Sequence, residues 1–217
     1  MAEVVIAVRG GEEAKSRYGD LVAPQDRAAF VEAMLADMLS AIARVPSVRQ
    51  VRVVTPTPRI AALARGLGAR VVAELKPSGL NAAFRIGRES VAQDDAAATV
   101  ILLPGDLPGL DPADLEALIA AAAPGRVAMV RAARDGGTGA LALAAGLDLP
   151  LAYGLDSFAH HQAAVRDLGL DPLEVAAPSL AHDLDHPDDL RDWLASRPQG
   201  AAAALMSRLA DTAGTAA

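Results

Sequence analysis

Short β-branched runs alternate with longer Ala- and Leu-rich amphipathic stretches along almost the whole chain, and this alternation constrains the fold more than any other feature. The strand-like runs fall at 3–8, 48–55, 70–73, 99–103, 127–132, 140–144 and 173–175. Between them, 25–45, 58–67, 81–92, 112–122, 157–168 and 187–195 read as helices. In the first helix Val31, Met34, Leu35, Met38, Leu39, Ile42 and Val45 recur at the spacing of one buried face. After Thr99 the 99–103 run is wholly apolar, as in a parallel-sheet strand covered on both sides. Strand–helix alternation at this spacing predicts an α/β fold with a mostly parallel sheet, flanked by helices and joined by right-handed crossovers. The expected division is a single domain over 1–197 and an Ala-rich tail over 198–217, helical at 202–209 and frayed beyond.

Composition narrows the chemistry. The absence of Cys excludes a disulfide framework, a Cys-ligated zinc site, an iron–sulfur cluster and a thiol nucleophile. Four His supply few ligands for zinc. With 27 Asp+Glu against 20 Lys+Arg, a net charge of −7 and 3% aromatic residues, a nucleic-acid polymer is a poor partner. A small anionic substrate stays open, because a metal ion overrides net charge locally. The apolar run at the N-terminus is too short for a signal peptide or a membrane span, so the expectation is a cytoplasmic protein with no membrane partner.

Ligands of parallel sheets bind beyond the carboxyl ends of strands, so the segments after each strand are the places to look. The first loop, Arg9-Gly10-Gly11-Glu12-Glu13-Ala14-Lys15-Ser16-Arg17, has a Gly pair that lets backbone N–H groups approach phosphate. Arg9, Lys15 and Arg17 can balance phosphate charge there, although the loop lacks the Gly-Lys-Ser/Thr ending of a P-loop and also reads as an ordinary connection. Asp106 follows the most apolar strand, where a carboxylate is costly unless paired or holding a metal; it is a candidate Mg²⁺ ligand or a turn residue. Asp183 and Asp185 are two apart, so an extended chain puts both on one side, where they repel unless a cation sits between them. His182 and His186 flank them and read as solvated loop residues, while Asp188 and Asp189 suit the start of a helix after Pro187. Gly136-Gly137-Thr138-Gly139 and Tyr153-Gly154-Leu155-Asp156-Ser157 can each present N–H groups and a hydroxyl to an anion, or serve as turns with Asp156 or Ser157 as a helix cap. Asp111 is the expected cap of the 112–122 helix. Gly79 frees the backbone at a helix start, and Asn81 is either a cap or a base-reading amide.

In this order the segments resemble a known family, the guanylyltransferases of deazaflavin cofactor F420 biosynthesis. These act on 2-phospho-L-lactate in archaea and phosphoenolpyruvate in bacteria. The carriers are Ala14-Lys15-Ser16-Arg17, Met34-Leu35-Ala36-Asp37, Gly79-Leu80-Asn81-Ala82-Ala83, Gly105-Asp106-Leu107-Pro108, Gly137-Thr138-Gly139-Ala140-Leu141, Gly154-Leu155-Asp156-Ser157-Phe158-Ala159-His160-His161 and Asp183-Leu184-Asp185. The resemblance spans residues 4–194. It implies a single Rossmann-like nucleotidyltransferase domain of the nucleotide-diphospho-sugar transferase type, similar to the molybdenum-cofactor guanylyltransferases.

The implied activity is transfer of GMP from GTP to a phosphorylated C3 acid (phosphoenolpyruvate, 2-phospho-L-lactate or 3-phosphoglycerate) with release of pyrophosphate. Asp106, Asp183 and Asp185 would hold Mg²⁺. Asp106, Lys15 and Arg17 would be catalytic, and Thr138, Gly139, Gly154 and Ser157 would bind the acid. Arg9, Gly10, Gly11, Lys15, Gly79 and Asn81 would face GTP, and related enzymes imply a homodimer. The first loop departs from the family's Val-Lys-Pro-Leu start, reading Val8-Arg9-Gly10-Gly11. That departure leaves two alternatives: a nucleotidyltransferase using a molybdopterin or sugar-phosphate acceptor, or a catalytically silent homologue acting as a binding protein. The composition suits the first-named chemistry, since a phosphate acceptor is already an anionic nucleophile and needs neither triad nor thiolate.

Overall fold

The computed structural model describes residues 1–10, 15–74 and 79–215. Seven strands form one sheet: β1 (Ala2–Ala7), β2 (Val48–Thr55), β3 (Arg70–Ala73), β4 (Thr99–Pro104), β5 (Arg126–Arg131), β6 (Thr138–Ala144) and β7 (Asp171–Glu174). Their order is β3-β2-β1-β4-β6-β5-β7. β6 runs antiparallel between β4 and β5, and the other pairings are parallel. The sheet is thus mixed and mostly parallel, as the alternation predicts. β6 starts earlier than its apolar run because Thr138 pairs with Arg131 across a bulge.

The helices are α1 (Pro24–Ile42), α2 (Pro58–Gly66), α3 (Leu80–Asp94), α4 (Pro112–Ala121), α5 (Ser157–Asp167), α6 (Pro187–Ala195) and α7 (Ala201–Thr215), with 3₁₀ turns at Ser16–Leu21 and Pro178–Leu180. The central strands explain the placement of these helices. Val4 and Ile6 of β1, with Ile101 and Leu103 of β4, point into one core with α1, α2, α4, α6 and α7. Val5, Ala7, Val100 and Leu102 point into a second core with α3 and α5. Successive side chains leave opposite faces, so an all-apolar strand needs a helical layer on each side. Asp111 caps α4 as expected, accepting the Ala113 N–H at 2.8 Å.

Two features go beyond the hydrophobic pattern. The segment after residue 197 folds back onto α1. Asp37 Oδ1 and Oδ2 accept the N–H groups of Ala201 and Ala202 at 2.7 and 2.9 Å, and Ala202 and Met206 are buried. α7 continues past Leu209 to Thr215, in keeping with the high helix propensity of its Ala-rich sequence. Among the described residues no helix is long and apolar enough to cross a membrane.

The second feature is a buried ion network inside the sheet. Arg52 of β2 is 1% exposed and donates to Glu3 of β1 at 2.6 Å, to Asp94 at 2.7 Å, and to the Ser90 hydroxyl at 2.7 Å, tying α3 to the sheet. Burial disfavours the Glu3 charge, but Arg52 and Arg49 outweigh it and hold the carboxyl below its ordinary pKa. The depressed pKa means that this pair stabilises fully above the unfolded carboxylate pKa, and that the stabilisation is lost as pH falls from there through the lower folded pKa. Arg52→Met leaves Glu3 in the interior without its main partner, and a loss of about 3–5 kcal/mol is expected in urea unfolding. The Glu3→Met/Arg52→Met double variant should recover much of it, and no recovery would show that the pair is not the source.

Candidate active site

β1 and β4 are parallel neighbours at the point where the strand order reverses, so the chain leaving each turns away from the other and a crevice opens between them. Gly105 permits this, since a Cβ there would stand 2.9 Å from the Ala7 carbonyl and 2.5 Å from Val8 Cβ. The cleft has a volume of about 300 Å³ and is walled by Val8, Arg9, Lys15, Met34, Asp106 and Asp185, among others.

Three carboxylates converge here, Asp106 and Asp185 on the cleft wall and Asp183 beside them. One oxygen from each of Asp106, Asp183 and Asp185 lies within 4.8 Å of the others. The third segment is held through its backbone: Leu184 N donates to the Asp106 carbonyl at 3.1 Å, and the Tyr18 hydroxyl donates to the Leu184 carbonyl. Leu184 itself is buried, so the acids on either side of it are turned the other way, Asp185 into the crevice and Asp183 close beside it. Lys15 Nζ reaches Asp106 Oδ2 at 2.5 Å and Asp185 Oδ1 at 2.9 Å, and Arg17 lies 3.6 Å from Asp185. Asp106 Oδ1 is buried with no hydrogen-bond partner among the described residues. An orphaned carboxylate oxygen beside two more carboxylates is a donor set for a hard divalent cation.

Electrostatics follow from this crowding. Burial, then the neighbouring Asp106 and Asp185, push the Asp183 carboxyl up to about 7. Burial raises Asp106 as well, against the pull of Lys15. Asp185 is also disfavoured by burial, yet the Lys15 ammonium holds it below the ordinary range. Burial works against the Lys15 charge too, but Asp106 and Asp185 raise its pKa. Three acids share one internal cation, and the excess negative charge is relieved by a proton, as the raised Asp183 and Asp106 pKa values reflect, or by a further cation.

The residues expected to face a nucleotide fall in two places, Arg9 and Gly10 beside the ends of β2 and β3, and Gly79 and Asn81 at the start of α3. Arg9 is half-exposed, with its guanidinium 3.4 Å from the buried Glu74 carboxylate. Gly10 N donates to Thr57 Oγ1 at 3.2 Å. Gly11 lies outside the described residues. Gly79 precedes α3 with φ +97°. Asn81 does not cap that helix; both ends of its amide clasp the backbone of Tyr153, at 2.7 Å to the N–H and 3.1 Å to the carbonyl.

The residues expected to bind the acid lie on β6 and around the start of α5. Gly139 touches the loop that carries the acids, and a Cβ there would stand 2.1 Å from the Leu180 carbonyl. Gly154 has φ +144°. Thr138 and Ser157 are buried, their hydroxyl oxygens 3.0 Å apart, and Thr138 Oγ1 is 2.8 Å from His161 Nδ1. Asp156 takes the cap position of α5 in the left-handed conformation, φ +55°, and makes no side-chain cap bond. Nor does Ser157 cap, because its hydroxyl faces Thr138. The cap expected of this pair is therefore not formed.

His161, Tyr18 and Leu184 are structurally central but carry little signal in sequence. For His161 the hints are its place on the buried face of α5, beside Phe158 and Val165, and its position at the end of the Gly154–His161 segment of the family resemblance. Burial, then His160, push its pKa down to about 4. The unfolded chain takes up a proton near 6.5 that the folded protein resists until about 4, so this group costs stability as pH falls through that window. The loss expected is about 3 kcal/mol, and urea unfolding of His161→Gln across the window should show a flatter profile. An equally steep profile would place the effect elsewhere. His182 and His186 stay out of the acid cluster: His182 Nδ1 meets the Pro178 carbonyl, and His186 caps α6, its N–H bonded to Asp189 at 2.7 Å.

The family model described as "Guanylyl transferase CofC like" matches residues 2–201. The chain is 47% identical over 191 residues to a 3-phospho-D-glycerate guanylyltransferase of Phenylobacterium zucineum, covering 87% of this chain and 88% of that one. It is 35% identical over 198 residues to a phosphoenolpyruvate guanylyltransferase of Sphaerobacter thermophilus, covering 91% and 94%. A solved nucleotidyl transferase from Methanothermobacter thermautotroptrophicus shares the fold at a TM-score of 0.63 and 18% identity, over 91% of this chain and 99% of that one. A mixed sheet opening at its switch point, a carboxylate cluster there, and a family match over almost the full length lead to one conclusion: the chain belongs to the CofC-like guanylyl transferase family.

Proposed function

We propose that this protein transfers GMP from GTP to the phosphate of a three-carbon phosphorylated acid, with 3-phospho-D-glycerate the preferred acceptor and phosphoenolpyruvate the next. An acceptor phosphate oxygen attacks the α-phosphorus, the bond to the β-phosphate oxygen breaks, and pyrophosphate leaves. The observation that carries the reading is the Asp106–Asp183–Asp185 cluster with Lys15 seated on it at the strand switch point. The acceptor preference rests on the 47% identity to a relative named for 3-phospho-D-glycerate, against 35% to one named for phosphoenolpyruvate.

The residues have distinct tasks. Asp106, Asp183 and Asp185 would hold Mg²⁺, which when bound supplies positive charge to phosphate oxygens. Lys15 adds a second, protein-borne charge that can turn from the carboxylates to the phosphates, and Arg17 sits at the exposed rim for the same purpose. The nucleophile is already ionised, so no side chain need act as base, and catalysis comes from placement and charge neutralisation. Thr138, Gly139, Gly154 and Ser157 would hold the acid; Arg9, Gly10 and Gly79 would line the nucleotide side, with Asn81 bracing it. A pyrophosphate-release assay with GTP, Mg²⁺ and each acceptor tests this. The highest kcat/KM is expected with 3-phospho-D-glycerate, and release only with molybdopterin or a sugar phosphate would overturn it.

A further inference from the structure

The Thr138–Ser157 hydroxyl pair has a proton balance set from outside, by His161. The imidazole is fully buried, and Tyr153 packs against it with ring centroids 5.1 Å apart. Its Nε2 accepts the backbone N–H of Ala152 at 2.9 Å. A backbone amide can only donate, so Nε2 bears no proton and the neutral ring carries its proton on Nδ1. The low pKa keeps the ring neutral at physiological pH. Nδ1–H therefore donates to Thr138 Oγ1 at 2.8 Å.

The consequence is a count of protons. Thr138 and Ser157 have one hydroxyl proton each, and a single bond of 3.0 Å between them uses one. The imidazole cannot accept the other, since its Nδ1 is a donor. No other acceptor for these hydroxyls is found among the described residues. With the opposite tautomer Thr138 would donate to the ring, Ser157 would donate to Thr138, and both protons would be spent inside the protein. The Ala152 amide thus decides whether the pair is self-satisfied or holds a donor in reserve. Ser157 is 0% exposed and Thr138 6%, so with Ser157 donating to Thr138 the spare proton is the one on Thr138, where it is costly to leave unpaired and gains most when it meets an anionic oxygen.

We infer that His161 is a positioning residue for the acceptor: pinned by Ala152 as a donor to Thr138, it leaves one proton of the Thr138–Ser157 pair free to bind an anionic oxygen of the phosphorylated acid. This rests on the proposed reading that the pair belongs to the acceptor site. Asn81 and Tyr153 complete the device, because the amide that clasps Tyr153 also holds the adjoining Ala152 in place.

Two substitutions separate positioning from mere packing. His161→Asn keeps an amide N–H near the Nδ1 position and loses the acceptor for Ala152. His161→Gln keeps an acceptor near the Nε2 position and loses the donor to Thr138. A structural role predicts that Asn, which is smaller and orphans the Ala152 N–H, is the worse of the two. Positioning predicts the reverse in steady-state kinetics. His161→Gln should raise KM for 3-phospho-D-glycerate about tenfold with KM for GTP within about twofold, while His161→Asn stays within about threefold for both. Thr138→Val should raise the acceptor KM to a similar extent, and adding His161→Gln to it should add little.

The failures are distinguishable. If neither Thr138→Val nor Ser157→Ala changes the acceptor KM, the acceptor-site reading fails and the inference falls with it. If those variants raise KM but His161→Gln does not, the inference alone is overturned. ¹⁵N NMR of the imidazole in the wild-type protein gives a test independent of activity and of variant folding. The Nδ1–H tautomer is expected, and an Nε2–H tautomer overturns the inference.

Discussion

Asp106→Asn is expected to lower kcat about 10³-fold, equivalent to roughly 4 kcal/mol of barrier, while the protein stays folded. The two effects separate because the side chain and backbone of this residue do different jobs. The backbone carbonyl holds Leu184 N at 3.1 Å and so places Asp183 and Asp185, and Asn preserves that bond. The carboxylate supplies charge at a buried position where one oxygen has no partner among the described residues. A neutral amide fits the same space but cannot neutralise a divalent cation. Stopped assays of pyrophosphate release, with circular dichroism and a thermal melt as the folding control, make the measurement. The melting temperature gained on adding Mg²⁺ and GTP should shrink in parallel. Unchanged turnover in a folded Asp106→Asn protein would remove this carboxylate from the reaction.

Lys15→Met carries the second large effect, and its two halves point in opposite directions. Lys15 Nζ lies between Asp106 and Asp185, so the ammonium sits where a metal ion would draw on the same oxygens. Removing it leaves three crowded carboxylates with no buried cation, so Mg²⁺ should bind the nucleotide-free protein more tightly, as titration calorimetry would show. Turnover should nonetheless fall about 10²–10³-fold, because a charge preorganised for the phosphates is lost. Unchanged metal affinity would show that the ammonium does not compete for those oxygens. Unchanged turnover would show that it takes no part in the transition state.

The candidate site was legible in sequence wherever its chemistry depends on position along a strand. Asp106 stands out because it ends an apolar strand, and Asp183 and Asp185 because a spacing of two puts them on one side of extended chain. Lys15 and Arg17 stand out as the basic end of the first loop. The pairing of Lys15 with Asp185, 170 residues later, is not legible, since nothing local records which loops share a crevice. Nor is the role of Asn81, which reads as a cap or a base-reading amide and in fact braces the Tyr153 backbone 72 residues away. Arg52 is the sharpest case in the fold. A charged residue in the middle of a strand reads as solvent-facing, but it is buried because Glu3, Ser90 and Asp94 satisfy its guanidinium from three different elements.

The sequence by itself determined the α/β class, the succession of strands and helices, and which acids stand at strand ends. Those properties follow from hydrophobic period and local backbone preference, both of which act over a few residues. The tertiary structure decided the insertion of β6 antiparallel between β4 and β5, the meeting of the three carboxylates with Lys15, and the tautomer of His161. Each depends on contacts between segments far apart in the chain, where hydrogen-bond partners and buried charge are set by packing rather than by neighbours in sequence.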